Sequence, residues 1–174
     1  MEIKTERLVL RPWKHEDEKA LLRHANNRKI WIRLSDRFPF PYTRKDARRF
    51  IRANARAPFP PTQFAIVVEG EAIGGVGFER RNELERFTAE LGYWLSEQHW
   101  GKGYTSEAVR AIAEYAFSRF DFVRLQARVL EGNPASGRVL EKAGFALENT
   151  MRRGAFKDGQ VMDLLLYARL KPVS

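Results

Sequence analysis

Between Glu6 and Trp13 the chain alternates Leu8 and Leu10 with Arg7, Val9 and Arg11, a period of two that predicts a strand ended by Pro12. His15 to Asn27 then predicts a helix, with acids in its first turn, Leu21 and Leu22 on the inner side, and Asn26 and Asn27 near its end. Two prolines and several aromatics make Ile30 to Tyr42 a rigid loop long enough to cover something. A second helix follows, because Thr43 and Asp46 form an N-cap with an acid at N3, and Ala47, Phe50, Ile51 and Asn54 recur at helical spacing.

The texture changes at Gln63. Phe64–Val68, Ala72–Phe78 and Thr88–Leu95 are short β-prone runs separated by polar segments, which predicts an antiparallel meander. Thr105 to Phe120 carries Ala108, Val109, Ile112, Ala116, Phe117 and Phe120 on one face and predicts the strongest amphipathic helix in the chain, packed on the sheet. Phe122–Leu130 reads as a strand. Pro134–Ala143 reads as a short helix bracketed by Asn133 at the N-cap and Gly144 at C′, with Gly137 inside at a cost of about 1 kcal/mol that tertiary contacts must offset. A final hairpin pairs Ala146–Gly154 with Val161–Leu170 through Lys157–Gln160, where Asp158-Gly159 is a turn signal. The order is strand, two helices, three strands, helix, strand, helix and two strands, which is an α/β chain with a mixed sheet.

Composition narrows the class. A length of 174 residues suits a single domain spanning 1–174, and 44% hydrophobic residues, including 12 Phe, 4 Trp and 5 Tyr, supply a core. No apolar run reaches bilayer length and Met1–Leu10 lacks a secretory h-region, so a cytoplasmic protein without membrane contact is expected. The absence of Cys removes thiolate metal sites and a cysteine nucleophile, and His15, His24 and His99 lack ligand spacing. The formal charge of +9 favours a polyanionic partner, whether a phosphorylated cofactor, an acidic protein or nucleic acid, or else serves solubility alone.

The candidate chemistry sits where the strand ending at Leu95 runs into Gln98-His99-Trp100-Gly101-Lys102-Gly103-Tyr104 and a helix opens. Glycines let backbone N–H groups approach an anion, the helix N-terminus adds its dipole, and Lys102 adds charge, so a pyrophosphate is well served there. The P-loop pattern fails for want of Gly-Lys-Ser/Thr at its spacing, and the dinucleotide pattern fails because Ser106 stands at its third glycine. Gln-x-x-Gly-x-Gly remains, and a ligand-free strand-to-helix turn remains with it.

Gln98-His99-Trp100-Gly101-Lys102-Gly103 resembles the cofactor motif of the GNAT N-acetyltransferases, and Trp100 to Ala108 is similar to its RimJ/RimL-type version. Further resemblances follow in order: Thr5-Glu6-Arg7-Leu8 with Leu10-Arg11, the proline loop Phe38–Thr43, Asn133-Pro134-Ala135-Ser136, and Glu141-Lys142-Ala143-Gly144-Phe145. The resemblance spans nearly the whole chain. It implies the GNAT fold, a mostly antiparallel sheet of six to seven strands flanked by about four helices, and acetyl-CoA as cofactor.

Position by position, the resemblance implies that pantetheine pairs with the backbone of Trp94, Leu95 and Ser96, that phosphates meet the amides from Gln98 to Thr105, and that Asn133 bonds the pantetheine chain or merely caps its helix. It implies the Leu95 N–H as oxyanion donor and Ser136 as the group that protonates the departing thiolate, or a serine that only solvates the helix start. Leu140 occupies the position of the family's tyrosine acid, which puts a tyrosine acid there in doubt. Glu90, on the central strand, is a candidate to take the ammonium proton, or an ion-paired sheet residue. Trp31, Phe38, Phe40 and Tyr42 are candidates to wall the acceptor site, or simply pack under the loop.

The expectation is therefore acetyl transfer by direct attack to a primary amine, foremost an acidic or ribosomal protein N-terminus, from a monomer or homodimer. Small amines use the same scaffold. The alternative class is a basic RNA- or ribosome-docking module, suggested by the cationic second helix from Arg44 to Arg56, although nucleic acid is disfavoured because such runs are usually solvated faces.

Overall fold

The computed structural model describes residues 1–172. One eight-stranded sheet carries the fold, in the order β1 (Ile3–Lys4), β2 (Val9–Arg11), β3 (Gln63–Val68), β4 (Glu71–Arg80), β5 (Thr88–Leu95), β6 (Arg124–Leu130), β8 (Gln160–Leu170) and β7 (Ala146–Lys157). All neighbours are antiparallel except β5 and β6, which are parallel. The crossover between that pair is α4 (Tyr104–Arg119), the kind of helix a parallel connection requires.

Alternation along β3 shows how the sheet serves two layers. Phe64 and Ile66 join the core built on α4 and α5 (Pro134–Lys142), while Ala65 and Val67 join Trp13, Leu21, Ala47 and Ile51 under α1 (Glu18–Ala25) and α3 (Arg44–Ala55). Leu10, Phe64, Ile66, Phe78, Ile112, Leu125 and Leu140 are sealed from solvent. Each such side chain contributes about 1.5–3 kcal/mol, enough to fix which face of α4 turns inward.

The capping signals act as read. Thr43 accepts from the Asp46 amide and Asp46 from the Thr43 amide, a reciprocal box that opens α3. Asn133 accepts from the Ser136 amide with Pro134 in the first turn, and Gly144 leaves α5 at φ 86°. The β7–β8 turn has Asp158 and Gly159 both at positive φ, as a two-residue hairpin needs.

The strand number and four boundaries differ from expectation. The sheet has eight strands rather than six or seven, because Ile3–Lys4 folds back on Val9–Leu10 through a Thr5–Leu8 turn too short to leave a periodic signal. The first strand shrinks from Glu6–Trp13 to three residues, and the first helix starts as a 3-10 turn at His15–Asp17. The loop expected from Ile30 begins inside α2 (Arg28–Trp31), a single turn capped by Asn27, which brings the helices to five. Strand β7 continues to Lys157 through two bulges, which absorb Gly154 without ending the pairing.

Candidate active site

Strands β5 and β6 pair only over Thr88–Glu90 and Arg124–Gln126, and then part. The Ser96 amide donates to the Ile73 carbonyl at 2.8 Å, which fixes the phase of the antiparallel β4–β5 ladder. Bonding to β4 therefore falls on Ser96 and Trp94, and the main-chain groups of Tyr93 and Leu95 turn toward β6. The same reasoning applies across the gap. The Glu131 amide bonds to Asp163 and the Lys171 amide to Val123, so Val129 and Ala127 bond to β8 while Arg128 and Leu130 face β5. Two strand edges thus confront each other without bonding, and buried backbone groups of this kind need partners.

This gap opens into a cavity of about 1070 Å³. Glu90, Tyr93, Trp94 and Leu95 of β5, Arg128 and Leu130 of β6, Asn133 at the N-cap of α5 and Ser136 within it line it, together with Trp100, Gly101 and Thr105 at the glycine turn. Ser96 departs from expectation. Its side chain is buried against His24 Nδ1 at 2.9 Å, its amide is committed to Ile73, and its carbonyl accepts from the His99 amide. Of the stretch Trp94 to Ser96, only Leu95 presents its N–H to the gap, and Tyr93 joins it. The Leu95 carbonyl is taken by Trp100 Nε1 at 2.8 Å.

The glycine turn behaves as its residues require. Gly101 and Gly103 stand at φ 77° and 81°, in the left-handed region, and a Cβ at Gly101 would project into open space at the cavity wall. Gly103 is the N-cap of α4, so the first amides of a sixteen-residue helix open beside it. Gln98 and Lys102 are exposed; His99 and Tyr104 are half-buried. Burial, reinforced by Lys102, lowers the His99 pKa and favours a neutral ring, and its buried Nδ1 has no partner among the described residues.

Sequence reading treated the Thr5–Arg7 motif and the glycine turn as separate matches, and they meet in space. Glu107, in the first turn of α4, accepts from Thr5 Oγ1 at 2.6 Å, from the Arg7 amide at 2.8 Å and from Arg7 Nε at 2.8 Å. Arg7 Nη1 also donates to the Lys102 carbonyl at 2.8 Å, and the guanidinium lies over the Tyr104 ring. Burial raises the Glu107 carboxyl, but the Thr5 and Arg7 hydrogen bonds together hold it below the usual carboxylate range. A second clamp ties Glu97, just before the turn, to Asn27 Nδ2 at 2.8 Å and to Lys29. A third runs from Ser96 through His24 to Glu71, with His24 Nε2 at 3.0 Å from the carboxylate.

At the start of α5, Ser136 Oγ lies 2.7 Å from the Tyr93 hydroxyl. Sequence reading passed over Tyr93 because one tyrosine in a strand gives no signal of what it faces. Asn133 caps α5, and it also lines the cavity. Gly137 follows because a Cβ there would stand 2.6 Å from the Tyr167 hydroxyl of β8.

Glu90 is ion-paired. It forms the last rung before the strands part, and its carboxylate accepts from Arg128 Nε at 2.6 Å and Gln126 Nε2 at 2.8 Å. Both oxygens are engaged, which ties the vertex of the gap.

The aromatic loop divides. Phe38 and Tyr42 line the cavity and contact each other, and Phe38 meets Trp94 edge-on at 5.8 Å. Trp31 and Phe40 instead stack on each other outside the lining, where Lys157 Nζ sits 3.9 Å from the Trp31 ring. They support the wall rather than form it. The four acidic wall residues are all ion-paired: Asp36 with Lys157, Asp46 with Arg49, Glu79 with Arg37 and Glu90 with Arg128. Among the described residues Arg33 has no carboxylate partner and lies over Trp100, so the wall's unbalanced charge is positive.

Residues 7–146 match the acetyltransferase (GNAT) domain family, well over half of the chain. The chain belongs to the GNAT acetyltransferases. It is therefore an N-acetyltransferase, with acetyl-CoA as cosubstrate. It is 32% identical over 145 residues to the ribosomal-protein-serine acetyltransferase of Escherichia coli (strain K12), a match covering 82% of this chain and 80% of that protein. Its fold is shared with the ribosomal L7/L12 alpha-N-protein acetyltransferase RimL in complex with coenzyme A, at TM-score 0.84 and 24% identity over 98% of both chains. The spermidine N-acetyltransferase of Vibrio cholerae shares it at TM-score 0.79 and 21% identity, over 95% of this chain and 96% of that one. Among the described residues no helix is long and apolar enough to cross a membrane.

Proposed function

We propose that this GNAT enzyme transfers acetyl to the N-terminal amine of an acidic protein by direct attack on the thioester. The parting of β5 and β6 carries the reading. An extended arm bearing amides can pair with Tyr93 on one side and Arg128 and Leu130 on the other, while its phosphates meet the turn from Gly101 to Thr105. In this reading the Leu95 N–H receives the oxyanion, because it is directed into the gap and cannot rotate away. As the amine nitrogen bonds to the carbonyl carbon and the C–S bond breaks, the amine loses a proton to water. Sulfur gains one from Ser136 Oγ, which water replenishes. Glu90 is assigned the vertex tie rather than the base, because Arg128 and Gln126 already hold its carboxylate.

The acceptor assignment rests on charge and on kinship. With each wall carboxylate neutralised and Arg33 unbalanced, a polyamine finds no free anion, whereas acidic residues behind an N-terminal amine are attracted. The 32% identity to a ribosomal-protein-serine acetyltransferase supports the same choice. A cytoplasmic setting fits this reading. The test is a competition in which, with acetyl-CoA as the donor, an acidic N-terminal peptide beginning with Ser, its basic counterpart and spermidine compete as acceptors. The acidic peptide should show the highest kcat/KM, and a higher value for spermidine overturns the acceptor assignment.

A further inference from the structure

The proposed thiolate donor, Ser136, has a polar neighbour that nothing in the proposed reaction yet uses. Tyr93 projects from β5 at the same edge as the Leu95 N–H, lines the same cavity, and brings its hydroxyl to 2.7 Å from Ser136 Oγ and 3.2 Å from the Ser136 carbonyl. A serine hydroxyl has one proton and rotates freely about its Cβ–Oγ bond, so an isolated Ser136 divides its donation among the cavity, the helix backbone and water. A donor fixed on Oγ ends that freedom. Once Oγ accepts from Tyr93, its own proton is left to point elsewhere.

We propose that Tyr93 is a positioning residue that donates to Ser136 Oγ and thereby aims the serine proton at the sulfur position in the gap between β5 and β6. The inference rests on Ser136 serving the departing thiolate. The single proton of the Tyr93 hydroxyl has two acceptors within reach, Oγ at 2.7 Å and the Ser136 carbonyl at 3.2 Å, and in this proposal it goes to the nearer; two features of the site keep that proton on a fixed tyrosine. Burial pushes the Tyr93 hydroxyl above the ordinary tyrosine range, against the Ser136 hydrogen bond and with Tyr167 adding to the rise, so Tyr93 keeps its proton wherever the enzyme works. The tyrosine is also held at the vertex of three elements: β5 supplies its backbone, α5 its partner, and Tyr167 of β8 stands against Gly137, the residue after Ser136. In this proposal the effect of Tyr93 on the sulfur passes through the serine, whose Oγ it contacts at 2.7 Å.

The test is a cycle of Tyr93→Phe, Ser136→Ala and the double variant, with kcat, KM and acetyl-CoA Kd measured on one peptide acceptor. Tyr93→Phe should lower kcat about 10-fold and leave acetyl-CoA Kd unchanged, Ser136→Ala should lower kcat about 100-fold, and the double variant should match Ser136→Ala. Equal losses from Tyr93→Phe with and without Ser136 show that tyrosine acts independently and overturn the proposal. So does unchanged kcat in Tyr93→Phe beside a slow Ser136→Ala, an outcome that leaves the serine reading standing. Unchanged kcat in Ser136→Ala removes the serine reading and this inference with it. Should Tyr93→Phe fold poorly, 3,5-difluorotyrosine at position 93 keeps the ring and ionises at lower pH. Its kcat should fall as pH rises through that ionisation, and a flat profile overturns the aiming role.

Discussion

Gly137 is the place where the structure reverses an ordinary helix expectation. In an exposed helix interior, Gly→Ala stabilises by about 1 kcal/mol, since alanine loses less backbone freedom on folding. Here the added Cβ would stand 2.6 Å from Tyr167 Oη, with the next atom, Cζ, at 3.4 Å. Tyr167 is only 5% exposed and packed in the main core, so the ring cannot swing clear without moving its neighbours. Overpacking of this kind costs about 1–3 kcal/mol. Gly137→Ala should therefore be destabilising by about 1 kcal/mol net. In a Tyr167→Phe background the nearest contact becomes an ordinary one, and the same substitution should stabilise by up to about 1 kcal/mol. The coupling between the two positions is then about 2 kcal/mol, readable from urea midpoints of four proteins with matched slopes. If alanine changes stability by the same amount in both backgrounds, the close approach is not what keeps glycine at this position.

Three further outcomes test the site. Gly101→Val places a side chain in the open wall at the proposed phosphate end and at a left-handed φ, and should raise acetyl-CoA Kd by at least about 10-fold while costing about 1–2 kcal/mol of stability; calorimetry and denaturation check the two separately. Glu107 has a depressed carboxyl, so its contribution is present above its unfolded pKa and lost as pH falls through its folded one; Glu107→Gln should weaken the enzyme by about 2 kcal/mol near pH 7, with the difference vanishing in acid. Convergence of the two stability curves only on the alkaline side would contradict that sign. Glu90→Gln should leave the pH profile of kcat/KM unchanged in shape, whereas a loss near neutrality that recovers at high pH would reinstate Glu90 as the base.

Local order along this chain is legible from residues within a few positions of one another. The β-prone run in β3, the inward face of α4, the Thr43 and Asn133 caps and the Asp158-Gly159 turn each depend on contacts inside one element, and each is where the sequence placed it. The glycine turn was legible for the same reason, because positive φ at Gly101 and Gly103 is a demand of the turn itself. The shortest elements fall below any period: β1 lies ahead of the first segment read as a strand, and α2 ran partly into the loop read from Ile30.

Tertiary structure decided everything that depends on two distant segments facing each other. Periodicity in β5 and β6 says that both are strands, but where their pairing stops depends on twist and on the layers packed behind them, so the gap after Glu90 leaves no mark in either sequence. The same limit hid Tyr93 against Ser136, Arg7 against Glu107 and Tyr167 against Gly137, pairs separated by up to a hundred positions. It also decided which aromatics of the proline loop reach the cavity, since Phe38 and Trp31 are alike in composition and differ only in the direction the folded loop gives them. A hydrogen bond or a steric contact acts only over a few ångströms, and which residues come that close is settled by the packing of the whole chain.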